Sequence, residues 1–167
     1  MTYDWTIYFC LFLGIWSALV GGVFKAFSEF IMAGLARTEP SAGIEAMQQI
    51  NRTVLRTEFV AALIAIAVIS SLFGVYAMLA VSGTAKFVIL LAALVYVPTV
   101  FLVTVAGNVP MNNRLDVLDK STTASATYWA HYGRVWTRLN HVRTLGCIVT
   151  AGLYTVAAVT LVTEGGV

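Results

Sequence analysis

Charged side chains are scarce in this chain of 167 residues. Asp, Glu, Lys and Arg make up 11% of it, whereas hydrophobic residues make up 59%. Soluble domains carry about a quarter charged residues, so the composition excludes an ordinary soluble globular protein. The net charge of +2 gives no reason to expect nucleic acid as a partner. The sequence therefore predicts an integral membrane protein surrounded by the lipid bilayer.

Cysteine and histidine are equally sparse, with two of each. Cys10 and Cys147 fall in apolar segments and form no CxxC pair, which favours two small core residues over a disulfide or a redox site. His131 and His141 belong to no HxxxH or ExxH motif, so one chain offers few ligands for a metal or haem. We expect no metal site and no cofactor. A metal-dependent membrane oxidoreductase is the weaker alternative.

Long apolar runs dominate what remains. Four segments reach the roughly 20 residues that a helix needs to cross a bilayer. The predicted spans cover residues 5–35, 57–81, 85–109 and 124–163, and a short helix covers 41–54. These elements predict a single all-α domain over residues 1–167, a four-helix transmembrane bundle. The short helix is amphipathic and lies between helices 1 and 2, and helix 4 has an extended amphipathic start.

The three prolines predict where these helices begin, bend and end. Pro40 follows the first span, and Ser41 is expected to cap the short helix. Pro98 lies inside the third span and should kink it. Pro110 should end that span, and a hydroxyl within residues 121–123 should cap the fourth helix.

Lysine and arginine cluster on one side of the predicted bundle. The two long connections hold most of them, whereas the opposite side has Lys86 alone. The positive-inside rule then places both long connections in the cytoplasm and both termini outside, as for a multi-pass protein of the bacterial inner membrane. The opening "MTYDW" lacks a basic stretch, so we expect no cleaved signal peptide.

The first span carries small residues at a spacing of four: Gly14, Ala18 and Gly22. Such a stripe lets helices approach closely in lipid, and Lys25 and Glu29 continue it at about 100° per residue. We therefore expect both ionisable groups to face neighbouring helices at the inner end of the bundle. The alternative is an ion pair at a helix end, with the lysine reaching toward the headgroups.

The fourth helix separates two kinds of side chain. One face holds Trp129, Tyr132, Trp136, Asn140, Arg143 and Cys147. The opposite face holds His131, Arg134, Arg138 and His141. A guanidinium on an aromatic face needs a partner because burying an unpaired charge is costly. We expect Arg143 to contact Glu29 above all, or else amides near Asn108 or a ligand. Asn51, Asn108 and the amides after Pro110 lie at the same level and should complete a polar pocket under the short helix.

Four stretches of the chain resemble the anthrone-oxygenase-like family of small membrane proteins. They read "GVFKAFSEFIMAGLAR", "GIEAMQQINRTV", "GNVPMNNRL" and "WxxxxxxWTRLNHVRT", the last from Trp129 to Thr144. The resemblance covers most of the chain in the same order. It implies an oxygenase that converts an anthrone to an anthraquinone with O2 and without metal or flavin. The motif positions that it implies are Ser28, Asn51, Asn108, Pro110, Asn112, Trp136, Asn140 and Arg143.

Anthrone oxidation suggests a role for each candidate. Removing a proton from anthrone gives an electron-rich phenolate that can reduce oxygen directly. Glu29 is the expected base, and Arg143 the group that holds the anion. The neutral donors would be Asn51, Asn108 and Asn140, and the stacking wall Trp129, Tyr132 and Trp136. Ser28 and Asn112 join the substrate site through the resemblance. Lys25 joins it as the neighbour of Glu29 on the stripe of the first span, although the resemblance implies an apolar residue at this position.

Two other classes of function stay open at this stage. A non-catalytic membrane scaffold or small-molecule-binding protein would show the same spacing of residues. A transporter is less favoured, because four helices without repeats form a pathway only as an oligomer. The sequence leaves the substrate, and whether the chain forms a homo-oligomer, undetermined.

Overall fold

The structure, a computed structural model, describes residues 4–165 and consists of helices and short connections. The helices, some with π-helical turns, are α1 (Trp5–Leu35), α2 (Pro40–Val54), α3 (Glu58–Ala80), α4 (Ala85–Asp116) and α5 (Thr123–Glu164). All except α2 are long and apolar enough to cross a membrane. The predicted all-α four-helix bundle is therefore confirmed, and the chain is a multi-pass membrane protein.

Helix α5 is the central helix of the bundle. It packs along α1 on one side and α4 on the other, while α3 packs mainly against α4. Helix α2 lies across one end, against the last turns of α4 and the start of α5. We call this the α2 end of the bundle and the opposite one the far end.

Helix α4 runs past Pro110, so the prediction that this proline ends the span is wrong. Two π-helical segments, Val97–Leu102 and Thr104–Asn108, precede it, and regular α-helix then continues to Asp116. Pro98 lies within the first segment. A proline removes one backbone donor, and π-helical adjustment lets a membrane helix continue around such a gap. The helix therefore ends at Asp116, seven residues later than the predicted end at residue 109, and these residues extend into the α2 end.

Helix α1 buries a face different from the predicted stripe. Gly21 approaches Cys147 of α5, whereas Ala18 and Gly22 are exposed. The buried positions repeat every three or four residues: Cys10, Leu13, Ser17, Val20 and Phe24. This spacing is that of two helices packed side by side at a small crossing angle. Gly14 is buried against Ala151 and Tyr154 of α5, but the four-residue stripe that starts there turns away from the buried face at Ala18 and Gly22.

The caps of two helices differ in how well the sequence predicts them. Pro40 is the first residue of α2 and Glu39 the residue before it, so Ser41 does not cap the helix. Proline suits this position because the amide it lacks would have no partner there. At α5, the Thr122 hydroxyl accepts a hydrogen bond from the Ser125 amide at 3.1 Å, which confirms a cap within residues 121–123.

Candidate functional site

A cavity of about 280 Å³ lies inside the α2 end, close to the lower limit of the roughly 300–1,000 Å³ of small-molecule pockets. All five helices contribute to its wall, which is mostly apolar. Its polar members are Asn51, Arg52, Thr104, Asn112, Asn113, Asp116 and Arg143. A few polar groups on an apolar wall are typical of a site that binds and orients a small molecule.

Arg143 is buried in this wall with neutral partners. Its Nη2 donates to Asn140 Oδ1 at 2.6 Å, and its Nη1 donates to Thr104 Oγ1 at 3.4 Å. The guanidinium carbon lies 4.2 Å from the centre of the Phe24 ring and 5.1 Å from that of Trp136. Nε has no hydrogen-bond partner. The cation is therefore held by amide, hydroxyl and aromatic faces, which leaves its charge available to an anionic ligand.

The expected pairing of Glu29 with Arg143 is wrong. Glu29 lies 3.1 Å from Lys25, and both side chains are more than half exposed. Neither residue lines the cavity. Phe24, one residue before Lys25, occupies the buried face of α1, so the next residue is rotated to the surface. The ion pair thus matches the alternative of a helix-end pair near the headgroups.

Asn140 fixes the position of Arg143. It is fully buried, and its Nδ2 donates to the Phe24 carbonyl and to Ser28 Oγ, both at 2.6 Å. Its Oδ1 is thereby turned toward the guanidinium. Asn140 and Ser28 lie behind Arg143, outside the cavity lining, and link α5 to α1.

Asn112 organises the aromatic side of the site. Its Oδ1 accepts hydrogen bonds from the Tyr132 hydroxyl at 2.8 Å and from Trp136 Nε1 at 2.9 Å. Tyr132 stacks on Trp129 and Trp136, with ring centres 5.6 and 6.0 Å apart. Of these three rings only Trp136 lines the cavity, so Trp129 and Tyr132 support the wall from behind. The other aromatic rings of the wall are Phe24, Phe27, Phe59 and Phe101.

Of the two side-chain amides expected in the pocket, Asn51 lines the cavity and Asn108 does not. Asn51 lines the cavity from α2, as expected, and its buried Nδ2 has no hydrogen-bond partner. Asn108 is 1% exposed and donates through Nδ2 to the Trp136 carbonyl at 3.3 Å, outside the cavity lining. Asn51 thus places a buried amide nitrogen at the cavity wall close to Tyr132, whereas Asn108 ties α4 to α5.

Asp116 is a cavity residue that the sequence reasoning missed. Its Oδ1 accepts from Arg52 Nε at 2.7 Å, and both residues line the cavity. A signal was present, because Asp116 follows Asn112 by four residues and so shares its helix face. Ending the helix at Pro110 concealed that relation. Among the described residues of the lining, Asp116 is the only one with a carboxylate, so it is the candidate general base.

Candidate metal ligands do not gather anywhere within residues 4–165. Across that part of the chain, no three side chains of the types His, Cys, Asp and Glu form a group that could hold an ion. His131 and His141 lie on the exposed face of α5. Cys10 and Cys147 are buried in separate parts of the core, as small packing residues.

Comparison with known proteins identifies a family. A profile described as anthrone oxygenase matches residues 52–153. None of the curated proteins and none of the solved structures compared with the chain matches it. The matched stretch contains Asn112, Trp136 and Arg143 of the cavity wall, together with Asn140 behind Arg143. Since it spans 102 of the 167 residues, the chain belongs to the anthrone oxygenase family.

Proposed function

We propose that this protein is a membrane-embedded, cofactor-independent oxygenase that acts on a lipophilic anthrone-like polycyclic phenol. The observation that carries the proposal is Arg143, a buried cation with neutral partners on the wall of an apolar cavity. An apolar cavity of this size suits a flat ring system, and the cation suits an oxygen that gains negative charge.

The proposed reaction balances with O2 alone. The methylene carbon between the two aryl rings of anthrone loses both hydrogens and gains one oxygen as a carbonyl. The second oxygen atom leaves as water, so anthrone and O2 give anthraquinone and H2O. Deprotonation comes first, because the resulting anion passes electrons to O2 far more readily than the neutral ketone. The protein must therefore hold the ring, accept a proton and stabilise the anion.

The cavity residues divide these tasks. Phe24 and Trp136 flank the guanidinium and offer faces to a flat substrate. Arg143 and the free Nδ2 of Asn51 donate to the substrate oxygen as it becomes an oxyanion. We assign proton acceptance to Asp116, which replaces Glu29 in this role.

The position of the cavity supports a lipophilic substrate. Val23, Ile64 and Val105 belong to its lining and are also 40%, 45% and 51% exposed on the outer surface of three spanning helices. The cavity therefore opens sideways between helices. In a bilayer that opening faces the lipid, where an anthrone would partition.

One observation favours a second function, that of a non-catalytic binding protein. Asp116 already pairs with Arg52 through Oδ1 at 2.7 Å, so this oxygen is occupied by a partner within the protein. Such a protein would bind the same polycyclic phenols through Arg143 without turnover.

Replacement of Arg143 by lysine tests the proposal. The full chain in detergent is supplied with anthrone and ¹⁸O₂, and anthraquinone is measured by absorbance and mass spectrometry. We expect Arg143→Lys to keep the charge but lose the planar fork, which lowers kcat/KM by about 100- to 1,000-fold. Arg56→Lys, on an exposed residue before α3, is the matched control and should retain activity.

Three outcomes of this experiment distinguish the oxygenase from the non-catalytic binding protein. Quinone carrying one ¹⁸O, lost in Arg143→Lys alone, supports the oxygenase. Anthrone binding without quinone in the wild type supports the binding protein. A folded Arg143→Lys variant with full activity removes Arg143 from the site and overturns the proposed role.

We also propose that the α2 end faces the cytoplasm of a bacterial inner membrane, with both termini outside. The support is the excess of Lys and Arg in the connections at that end. Cysteines placed at Thr2 and Gly165 should react with an impermeant maleimide in intact spheroplasts. Cys10 and Cys147 are fully buried and should not react with the maleimide. Labelling that requires permeabilisation would reverse the orientation.

A further inference from the structure

Three stacked rings of α5 connect the inner cavity with a second cavity, which we call the outer groove. Trp136 lines the inner cavity, whereas Trp129 lines the outer groove, of about 590 Å³, between α5 and the segment that joins α1 to α2. The ring of Tyr132 lies between them, 6.0 Å from that of Trp136 and 5.6 Å from that of Trp129, centre to centre. The ring planes differ by only 22° and 16°, so the three rings form one continuous stack.

The inner cavity exposes a single readily oxidised ring to its contents. Among the described residues that line it, Trp136 is the only tryptophan or tyrosine, and the other aromatic residues are phenylalanines. Indole and phenol rings lose an electron far more readily than the benzene ring of phenylalanine. A one-electron oxidant in the cavity that attacks an aromatic ring therefore takes its electron from Trp136.

The surrounding charges favour movement of the missing electron, or hole, away from Trp136. The buried guanidinium of Arg143 lies 5.1 Å from the Trp136 ring centre, and a buried cation repels a second positive charge strongly. The arginines beside Trp129 in the outer groove, Arg134 and Arg138, are exposed, so solvent and salt screen them. A hole is therefore favoured on Trp129 over Trp136.

The hydrogen bonds of the stack make the two indoles the carriers of the charge. The Tyr132 hydroxyl and Trp136 Nε1 both donate to Asn112 Oδ1, at 2.8 and 2.9 Å. A neutral amide oxygen accepts a hydrogen bond but is a poor base. A tyrosine that cannot release its proton is hard to oxidise, whereas an indole holds the charge as a cation radical. Tyr132 therefore acts as the bridge between Trp136 and Trp129.

We propose that this stack conducts oxidising equivalents from the inner cavity to the outer groove. An alkoxyl radical RO•, formed from a substrate hydroperoxide, takes one electron from Trp136 and one proton from water to become ROH. Trp129 refills Trp136 with an electron across Tyr132 and loses its indole proton to water. A soluble thiol RSH then returns one electron and one proton to Trp129. The net reaction is RO• + RSH → ROH + RS•, and the cavity wall is left intact.

The source of the radical rests on the proposed oxygenase, whereas the path itself can be tested without anthrone turnover. Ile64 lines the inner cavity and is 45% exposed. In the full chain in detergent, Ile64→Cys is alkylated with bromomethylanthraquinone, and the buried Cys10 and Cys147 should not react. Near-ultraviolet light excites the tethered quinone, which takes one electron from Trp136 and passes it to O2 as superoxide. Peptide mass spectrometry then locates the oxidised tryptophan.

We expect oxidation mainly on Trp129, with Trp136 spared. Trp129→Phe removes the end of the path, so oxidation of Trp136 should rise several-fold. Tyr132→Phe keeps a stacked ring but makes the bridge harder to oxidise, and it should shift oxidation from Trp129 to Trp136 as well. Trp5→Phe is the matched control, because Trp5 lies outside the stack and is 49% exposed, and it should leave the pattern unchanged.

Two results would overturn the path. One is an equal level of Trp136 oxidation in the wild type, Trp129→Phe and Tyr132→Phe. The other is oxidation of Tyr128 in place of Trp129, since the Tyr128 ring also lies 6.2 Å from that of Tyr132 but is tilted by 57°. Because the oxidant is made by light, neither result bears on anthrone oxidation, and loss of anthrone oxidation would leave the path standing.

Discussion

The two ends of the bundle are packed with side chains of different size. At the far end, small side chains such as Ala77, Ala85, Ala157 and Ala158 bring the helices together around Tyr154. At the α2 end, the buried residues are large: the cluster holds Met32, Ile44, Met47, Leu115, Tyr128, Trp129, Tyr132 and Trp136. The cavity occurs beside this second group.

The difference follows from how helices associate in lipid. Lipid tails solvate apolar side chains, so helices hold together by close packing and by hydrogen bonds between them. Small residues give close packing at the far end. Large rings fixed by the amides of Asn112 and Asn140 leave gaps, and hydrogen bonds rather than close contact keep the gaps open. Stability and ligand binding should therefore separate along the bundle.

Loss of a large side chain at the far end should have the greatest effect on stability. We expect Tyr154→Ala to lower the free energy of unfolding by about 3–5 kcal/mol, because a fully buried ring leaves a cavity. The measurement is denaturant or thermal unfolding in detergent. Tyr154→Phe keeps the packed ring and should be close to wild type. If the folded fraction of Tyr154→Ala lost anthrone turnover, stability and catalysis could not be assigned to different ends of the bundle.

Asn112 should affect both properties, because it joins the structure of the α2 end to the cavity. Asn112→Ala leaves the Tyr132 hydroxyl and Trp136 Nε1 without their acceptor, at about 1–3 kcal/mol for each buried donor. Trp136 would then lose its fixed orientation and turnover should fall. Asn112→Asp keeps the acceptor and should preserve stability. Equal stability of the Ala and Asp variants would contradict the role assigned to these bonds.

Two adjacent glycines of α1 give a matched test of close packing. A Cβ on Gly21 would lie 2.8 Å from Cys147 Cβ, whereas one on Gly22 would meet no atom within 4 Å. We expect Gly21→Ala to destabilise the bundle by about 1–3 kcal/mol through overpacking. Gly22→Ala should be neutral or stabilising by up to about 1 kcal/mol, because alanine favours the helix. The reverse order would mean that α1 buries the predicted stripe after all.

Asn51 should show the smallest effect on stability and a selective effect on binding. Its free Nδ2 makes no hydrogen bond that Asn51→Leu could remove, so unfolding should be unchanged. A ligand would lose one neutral donor, which raises KM or Kd for an anthrone by about three- to tenfold. Titration of Trp fluorescence with anthrone measures the change. Destabilisation without weaker binding would make Asn51 a structural residue.

The sequence alone determined the membrane class, the four spans and the short helix. Apolar length and helical periodicity can be read from neighbouring residues alone. The bilayer requires both, because a span must cross the hydrocarbon core and pair its backbone groups within itself. The same periodicity correctly divided α5 into a buried face with Arg143 and an exposed face with Arg134 and Arg138. The family followed from four short motifs.

Tertiary structure decided which polar groups meet. The rotation of α1 about its axis depends on contact with α5, and it places Phe24 rather than Lys25 and Glu29 beside Arg143. The π-helical turns of α4 carry the helix past Pro110 and bring Asp116 to the cavity. A spacing in the sequence gives the angle between two side chains on one helix, but the direction in which that helix faces is set by all of its neighbours together.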